Sequence, residues 1–187
     1  QGGAICVDLP ALRENRVMLS YTGSFRCVRT MAHELGHAYH ARCLDAVPLL
    51  LRDAPTPICE TASLMNETVF LQKSLERMAP PQQFALLESD LQESTQTVLD
   101  IYSRFLFEKD AFAARRDHAL LSDELCALMT AAQRRVYADA LDPQQMHPYM
   151  WMCKVHYYIP EFHYYNYPYI FGLLFSKGLY ARYLDTP

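Results

Sequence analysis

No stretch of this 187-residue sequence approaches the roughly 20 consecutive apolar residues needed to cross a bilayer as a helix, so no membrane role is expected. The opening "QGGAICVDLP" has no basic segment ahead of an apolar core and does not read as a targeting signal. Basic charge is short as well. With 17 Lys and Arg against 21 Asp and Glu the formal charge is −4, which leaves no electrostatic footprint for nucleic acid. Six cysteines, at 6, 27, 43, 59, 126 and 153, lie far apart without a C-x-x-C pair. Free thiols in a reducing compartment are the simpler reading, so a cytoplasmic location is expected. Internal repeats and low-complexity segments are missing too.

What is present suits a globular chain: 51% apolar residues and 20% charged ones, enough for one substantial core. We therefore expect residues 1–187 to form a single domain. The sequence starts with Gln and reads at once as an apolar strand, and the expectation is a piece of a longer protein.

Two short β-rich runs, "GGAICVDLP" and "RVMLSYTG", predict a hairpin or two neighbouring strands. Helical signals follow. Thr22 or Ser24 is placed to cap a helix reaching about Leu44, and "RDAPTP" ends it. A second helix fits "ICETASLMNETVFLQKSLERM", and a long third fits "QQFALLESDLQESTQTVLDIYSRFLFEKDAF". Ser122 is expected to cap "SDELCALMTAAQRRVYADAL", with Glu124 one position short of a capping box. The aromatic stretch "HYYIPEFHYYNYPYIFGLLFSKGLYARYL" reads as a loop leading into a terminal helix. The class is mainly α with a small N-terminal sheet.

Within the first helix stands "TMAHELGHAYH", residues 30–40. A helix turns about 100° and rises about 1.5 Å per residue, so His33 and His37 sit one turn apart on one face, where both imidazoles reach a single ion. Glu34 points about a quarter-turn away and is placed to hold a metal-bound water, which is the logic of the H-E-x-x-H pattern. His40 lies about 10.5 Å along the axis from His33, too far to share an ion with both other histidines. A catalytic zinc keeps three protein ligands and an open position. The second helix offers Glu60, 23 residues after His37, as the third. Glu67, two turns beyond Glu60, is placed to orient a ligand histidine from behind.

"RTMAHELGHAYH" followed by "PICETASLMNE" resembles the oligoendopeptidase F branch of the thimet oligopeptidase family of zinc metallopeptidases. "GGAICVDLP", "YTGSFRCVRT", "ELCALMTAAQRRVYADALD" and "HYYIPEFHYYNYPYIFGLLFSKGLYARY" are similar to further stretches of that family's catalytic region, in the same order. The resemblance implies a zincin-like catalytic domain, the C-terminal part of a longer oligopeptidase. It implies Zn2+ held by His33, His37 and Glu60, with Glu34 as catalytic base. The family's histidine followed by spaced tyrosines favours His156, Tyr165 and Tyr169 as donors to the oxyanion, with Tyr164 or His163 as alternatives if the alignment slips by one residue.

The function so implied is a zinc-dependent endopeptidase that hydrolyses internal bonds of short peptides through a zinc-bound water activated by Glu34. A non-catalytic peptide-binding or assembly module that keeps the fold is the rival from another class, and a zinc carboxypeptidase is the rival among enzymes. Small residues at Gly2, Gly3 and Ala4 would let a substrate lie along this edge as an added strand. Family members carry a further N-terminal helical half with no counterpart here. The expected partners are short peptides, together with that missing half, a second polypeptide or a second copy covering the cleft.

Overall fold

The computed structural model describes residues 3–185. The chain forms two compact units: unit 1 takes Gln1–Asp90 and Phe171–Pro187, and unit 2 takes Leu91–Ile170.

Unit 1 begins with the hairpin. Strands β1 (Ala4–Leu9) and β2 (Glu14–Leu19) pair antiparallel from Ala4 opposite Leu19 to Leu9 opposite Glu14. Arg13 takes a positive φ of 53° in the turn, where Leu12 N–H donates to Leu9 O at 2.9 Å. Along β2 the exposure alternates, with Asn15, Val17 and Leu19 half-buried between exposed neighbours. Both strands pack on helix α1 (Phe25–Cys43). Ser24 caps this helix, its side chain accepting from Cys27 N–H, so of the two predicted caps it is Ser24 that acts.

Helix α2 (Thr56–Leu75) starts with Pro57 in its first turn, where a missing N–H costs nothing. It crosses α1 closely because Gly36 has no side chain. A Cβ there would stand 2.7 Å from Ser63 Cα and 3.0 Å from Ala62 O. Asn66 Nδ2 ties the crossing by donating to Ala32 O at 2.6 Å.

Helices α3 (Pro80–Thr95) and α4 (Ile101–Ala114) are separated by a π-helical turn over Gln96–Asp100. The single long helix read from periodicity is therefore interrupted. The turn follows Thr95 and contains Thr97 and Val98, β-branched residues that crowd a helix.

In unit 2, α4 and α5 (Ser122–Tyr137) pack over Leu106, Phe107 and Ala111 on one side and Met129 and Ala132 on the other. Ser122 lies inside α5 rather than capping it. The cap is Leu121, which makes Glu124 the third helical residue, and its carboxylate accepts from Leu121 N–H at 2.9 Å. Beyond α5 the chain runs through short 3-10 turns to helix α6 (Tyr167–Asp185). Gln133, almost wholly buried, anchors this stretch: its amide donates to His147 O at 2.8 Å and accepts from His147 N–H at 2.9 Å.

Candidate metal centre and aromatic segment

On α1 the rings of His33 and His37 meet edge to face with centroids 4.9 Å apart. The α1–α2 crossing brings Glu60 to them, with Oε2 3.4 Å from His33 Nε2 and 3.9 Å from His37 Nε2. One donor atom from each of the three lies within 4.8 Å of the others. Tetrahedral ligands at bonds of about 2.1 Å stand about 3.4 Å apart, so these side chains and their donor set could hold a zinc ion. His40 is not in this group.

Glu60 is 8% exposed, and its position is fixed from two directions. Ser63, one turn along α2, donates to Glu60 Oε2 at 3.2 Å and to Glu60 O at 2.9 Å. Gly172 of α6 lets that helix lie against the Glu60 backbone, since a Cβ there would be 3.0 Å from Glu60 C.

Behind His33 stands a chain of charges. His33 Nδ1–H donates to Glu67 Oε1 at 2.6 Å, which leaves Nε2 facing Glu60. Arg29 Nε donates to Glu67 Oε2 at 2.6 Å, and Arg29 also pairs with Asp90 at 3.2 Å. Lys177 of α6 reaches Asp90 at 3.4 Å. Burial alone would push the His33 imidazolium down, but hydrogen bonds and charge from Glu60 and Glu67 outweigh it and raise its pKa to about 9. The field that favours a proton there also favours a metal cation, which would displace it. His37 is lowered, by burial and then by the charge on His33.

Glu34 is 7% exposed. Burial raises its pKa, with nearby Glu60 and Glu67 adding to the rise, while His33 and a hydrogen bond from the Cys6 backbone amide oppose it. That bond links the helix to the sheet. Ser20 N–H donates to Gly3 O at 3.3 Å, so by alternation the backbone groups of residues 5, 7 and 9 bond β2 while those of Ala4, Cys6 and Asp8 face away from it. Among the described residues no third strand pairs with that edge. A Cβ at Gly3 would meet nothing within 4 Å. Gly2 lies outside the described residues.

His156, Tyr165 and Tyr169 belong to unit 2, where their rings form a chain: His156 to Tyr165 at 5.8 Å and Tyr165 to Tyr169 at 6.3 Å. The doublet divides at Tyr164. That residue has a positive φ of 54°, donates its N–H to Glu108 Oε1 at 2.9 Å, and packs its ring against Phe105 and Phe112. Tyr165 points instead toward His156, and His156 and His163 both line a cavity of about 510 Å3 with Glu108, Phe112, Trp151 and Tyr157. Asn166 Nδ2 donates to His156 Nε2 at 2.9 Å. His156 is lowered below the ordinary histidine pKa by burial, then by the charges of Arg104 and Lys154.

Sequence reasoning had no hold on Arg29, Asp90, Ser63, Gly36, Glu108 or Asn166. Ser63, one turn from Glu60, and Gly36, between the two histidines, were within reach of a helical-spacing argument. The other four contacts depend on tertiary approach.

The family model described as Peptidase family M3 matches residues 2–185. No curated protein and no solved structure matches the chain.

Proposed function

Since the chain belongs to peptidase family M3, we propose that it is a zinc metalloendopeptidase of the oligoendopeptidase type that cuts internal bonds of short peptides. Peptidases of this family are zinc-dependent. The observation that carries the reading is the convergence of His33, His37 and Glu60 beside the buried Glu34. These three side chains would hold the zinc ion, with Glu67 orienting His33. When bound, the zinc supplies a Lewis acid that polarises the scissile carbonyl and makes water a nucleophile at neutral pH.

The protein's own residues do the rest. Glu34, steadied by the Cys6 amide, takes the proton from the attacking water and returns it to the leaving amine. The substrate backbone lies along Gly2, Gly3 and Ala4 as an added strand, beside the edge of β1 with which no third strand pairs among the described residues. His156, Tyr165 and Tyr169 donate hydrogen bonds to the carbonyl oxygen as it gains charge, a role their N–H and O–H groups suit. A further stretch of polypeptide or a second copy covers the peptide. Exposed apolar side chains such as Leu49, Leu50 and Leu51 support this, and sedimentation would check it. We place the protein in the cytoplasm on the six free cysteines, and no helix among the described residues is long and apolar enough to cross a membrane.

The experiment is a mass-spectrometric digest of one defined peptide by the zinc-loaded chain. Internal cuts are expected; stepwise loss from the C-terminus would mean a carboxypeptidase, and no cleavage would mean a binding module. Glu34→Gln should lower turnover by about three orders of magnitude with about one zinc retained per chain. Loss of zinc together with activity would remove Glu34 from the role of base.

A further inference from the structure

After Tyr164 the chain doubles back so that Asn166 meets His156, with 2.9 Å between Asn166 Nδ2 and His156 Nε2. An amide nitrogen donates and cannot accept, so this contact requires a lone pair on Nε2. An imidazolium has none, and the surroundings oppose it: burial and the charges of Arg104 and Lys154 favour the neutral ring. The ring's one proton then sits on Nδ1. Among the described residues Nδ1 has no hydrogen-bond partner, so its N–H is left for a ligand.

The contact is held from both sides. Tyr164 adopts a left-handed backbone that aromatic residues rarely take, and Glu108 retains it there by accepting its N–H at 2.9 Å. Its ring is held between Phe105 and Phe112. Two residues on, the Asn166 carbonyl accepts Tyr169 N–H at 3.1 Å in the first turn of α6, which fixes the backbone from which the amide projects. On the other side the His156 ring lies between Tyr157, at 4.4 Å, and Tyr165.

We propose that Asn166 is a positioning residue that locks His156 in its Nδ1–H tautomer, so that the ring can only donate a hydrogen bond to the substrate's carbonyl oxygen. This rests on the reading above in which His156 serves as such a donor. With Nε2 occupied and Nδ1 protonated, the ring has no lone pair for the attacking water, and proton abstraction is left to Glu34. Asn166→Asp should reverse the lock, because a carboxylate only accepts and would draw the proton to Nε2.

The test is a long-range proton–nitrogen correlation spectrum of the zinc-loaded chain labelled with nitrogen-15 histidine at neutral pH. His156 is identified by the signals that vanish in His156→Gln. The expected result is a protonated Nδ1 and a bare Nε2 in the unsubstituted chain, with the two exchanged in Asn166→Asp. A proton on Nε2 in the unsubstituted chain, or an unaltered pattern in Asn166→Asp, overturns the proposal. The first of these needs no variant that alters Asn166. In peptide hydrolysis Asn166→Asp should lower kcat about 100-fold with KM and zinc content held. If the spectra exchange as expected while kcat stays unchanged, the lock stands and it is the donor role of His156 that falls.

Discussion

On α1 and α2 in unit 1 the buried residues include Glu34, Glu60, Ser63 and Thr68, whereas α4 and α5 in unit 2 meet over Leu106, Phe107, Met129 and Ala132. The first seam has an apolar contact, Phe25 stacking on Phe70 with centroids 5.5 Å apart, but it buries polar and charged groups as well. It closes through the missing side chain of Gly36, the Asn66 amide on Ala32, and carboxylates shared among His33, Arg29 and Ser63. The second seam closes by packing, and it tolerates loose polar ends. Apart from Asn15 Oδ1, the buried polar atoms without a partner among the described residues all belong to unit 2: Ser94 Oγ, Asp100 Oδ1, Arg104 Nε, Trp151 Nε1 and Tyr157 Oη. Burying a charge is costly, and an apolar pair of similar volume often serves stability as well or better. Carboxylates and imidazoles kept in that position are what the zinc proposed for this seam would require, at a cost to the seam's own stability.

The contrast can be broken by substitutions matched across it. Met129→Ala, at a site with no exposure, should cost about 2–5 kcal/mol of stability by chemical denaturation. Zinc affinity of the folded protein should stay within about twofold, since the three proposed ligands, His33, His37 and Glu60, all lie in unit 1. Gly36→Ala should gain about 1 kcal/mol of helix propensity. It should lose more by forcing the Ser63 backbone away from a Cβ 2.7 Å distant, for a net cost of about 1–3 kcal/mol. Zinc affinity should fall along with stability, because the shift carries Glu60 away from the histidines. If both variants lost stability and neither lost zinc, the α1–α2 crossing would not be what positions the ligands.

Glu67→Ala sharpens the comparison with a smaller effect. It removes the acceptor for His33 Nδ1–H and one of the carboxylates paired with Arg29, which keeps its ion pair to Asp90. Zinc affinity measured by competition with a chelating dye should weaken about 10- to 100-fold. An unchanged affinity would show that the orientation of His33 is set by helix packing rather than by the carboxylate behind it.

Much of unit 1 was legible because local rules fix it. Ser24 as a cap, the one-turn spacing of His33 and His37, and the seven-residue step from Glu60 to Glu67 need only helical geometry, and the hairpin needs only alternation. Where the sequence misled, neighbours had equal local claims. Ser122 looked like a cap, yet the fit of Glu124 to the amide three residues before it put the boundary at Leu121. The single long helix missed the π-helical turn because apolar spacing stays helical across Gln96–Asp100. Contacts such as Asp90 on Arg29, Glu108 on Tyr164 and Asn166 on His156 join residues that no periodicity relates. The tail was thus read as a set of aromatic residues, while the groups that aim it went unseen.

The smallest expected effect tests how unit 2 tolerates a buried carboxylate beside the aromatic segment, that of Glu108. Glu108 is 6% exposed; burial raises its pKa, and the Tyr164 amide and His163 only partly offset this. The native state therefore holds a proton more tightly than the unfolded chain. Stability from this group is fully present below the unfolded value, near 4.3 for an ordinary glutamate, and is lost as pH rises through the higher native value. Glu108→Gln keeps an oxygen for Tyr164 N–H and removes the ionisation. Relative to the unsubstituted chain it should be neutral or slightly destabilised near pH 4, and it should gain as the pH approaches 7. Urea midpoints at several pH values, read from fluorescence of the single tryptophan, Trp151, would follow this difference. A gap of constant size would mean that the carboxylate is solvated well enough to ionise freely. A Glu108→Gln deficit that instead grows as the pH rises toward 7 would mean that the charge stabilises the left-handed turn at Tyr164, as carboxylate charges do in the α1–α2 seam.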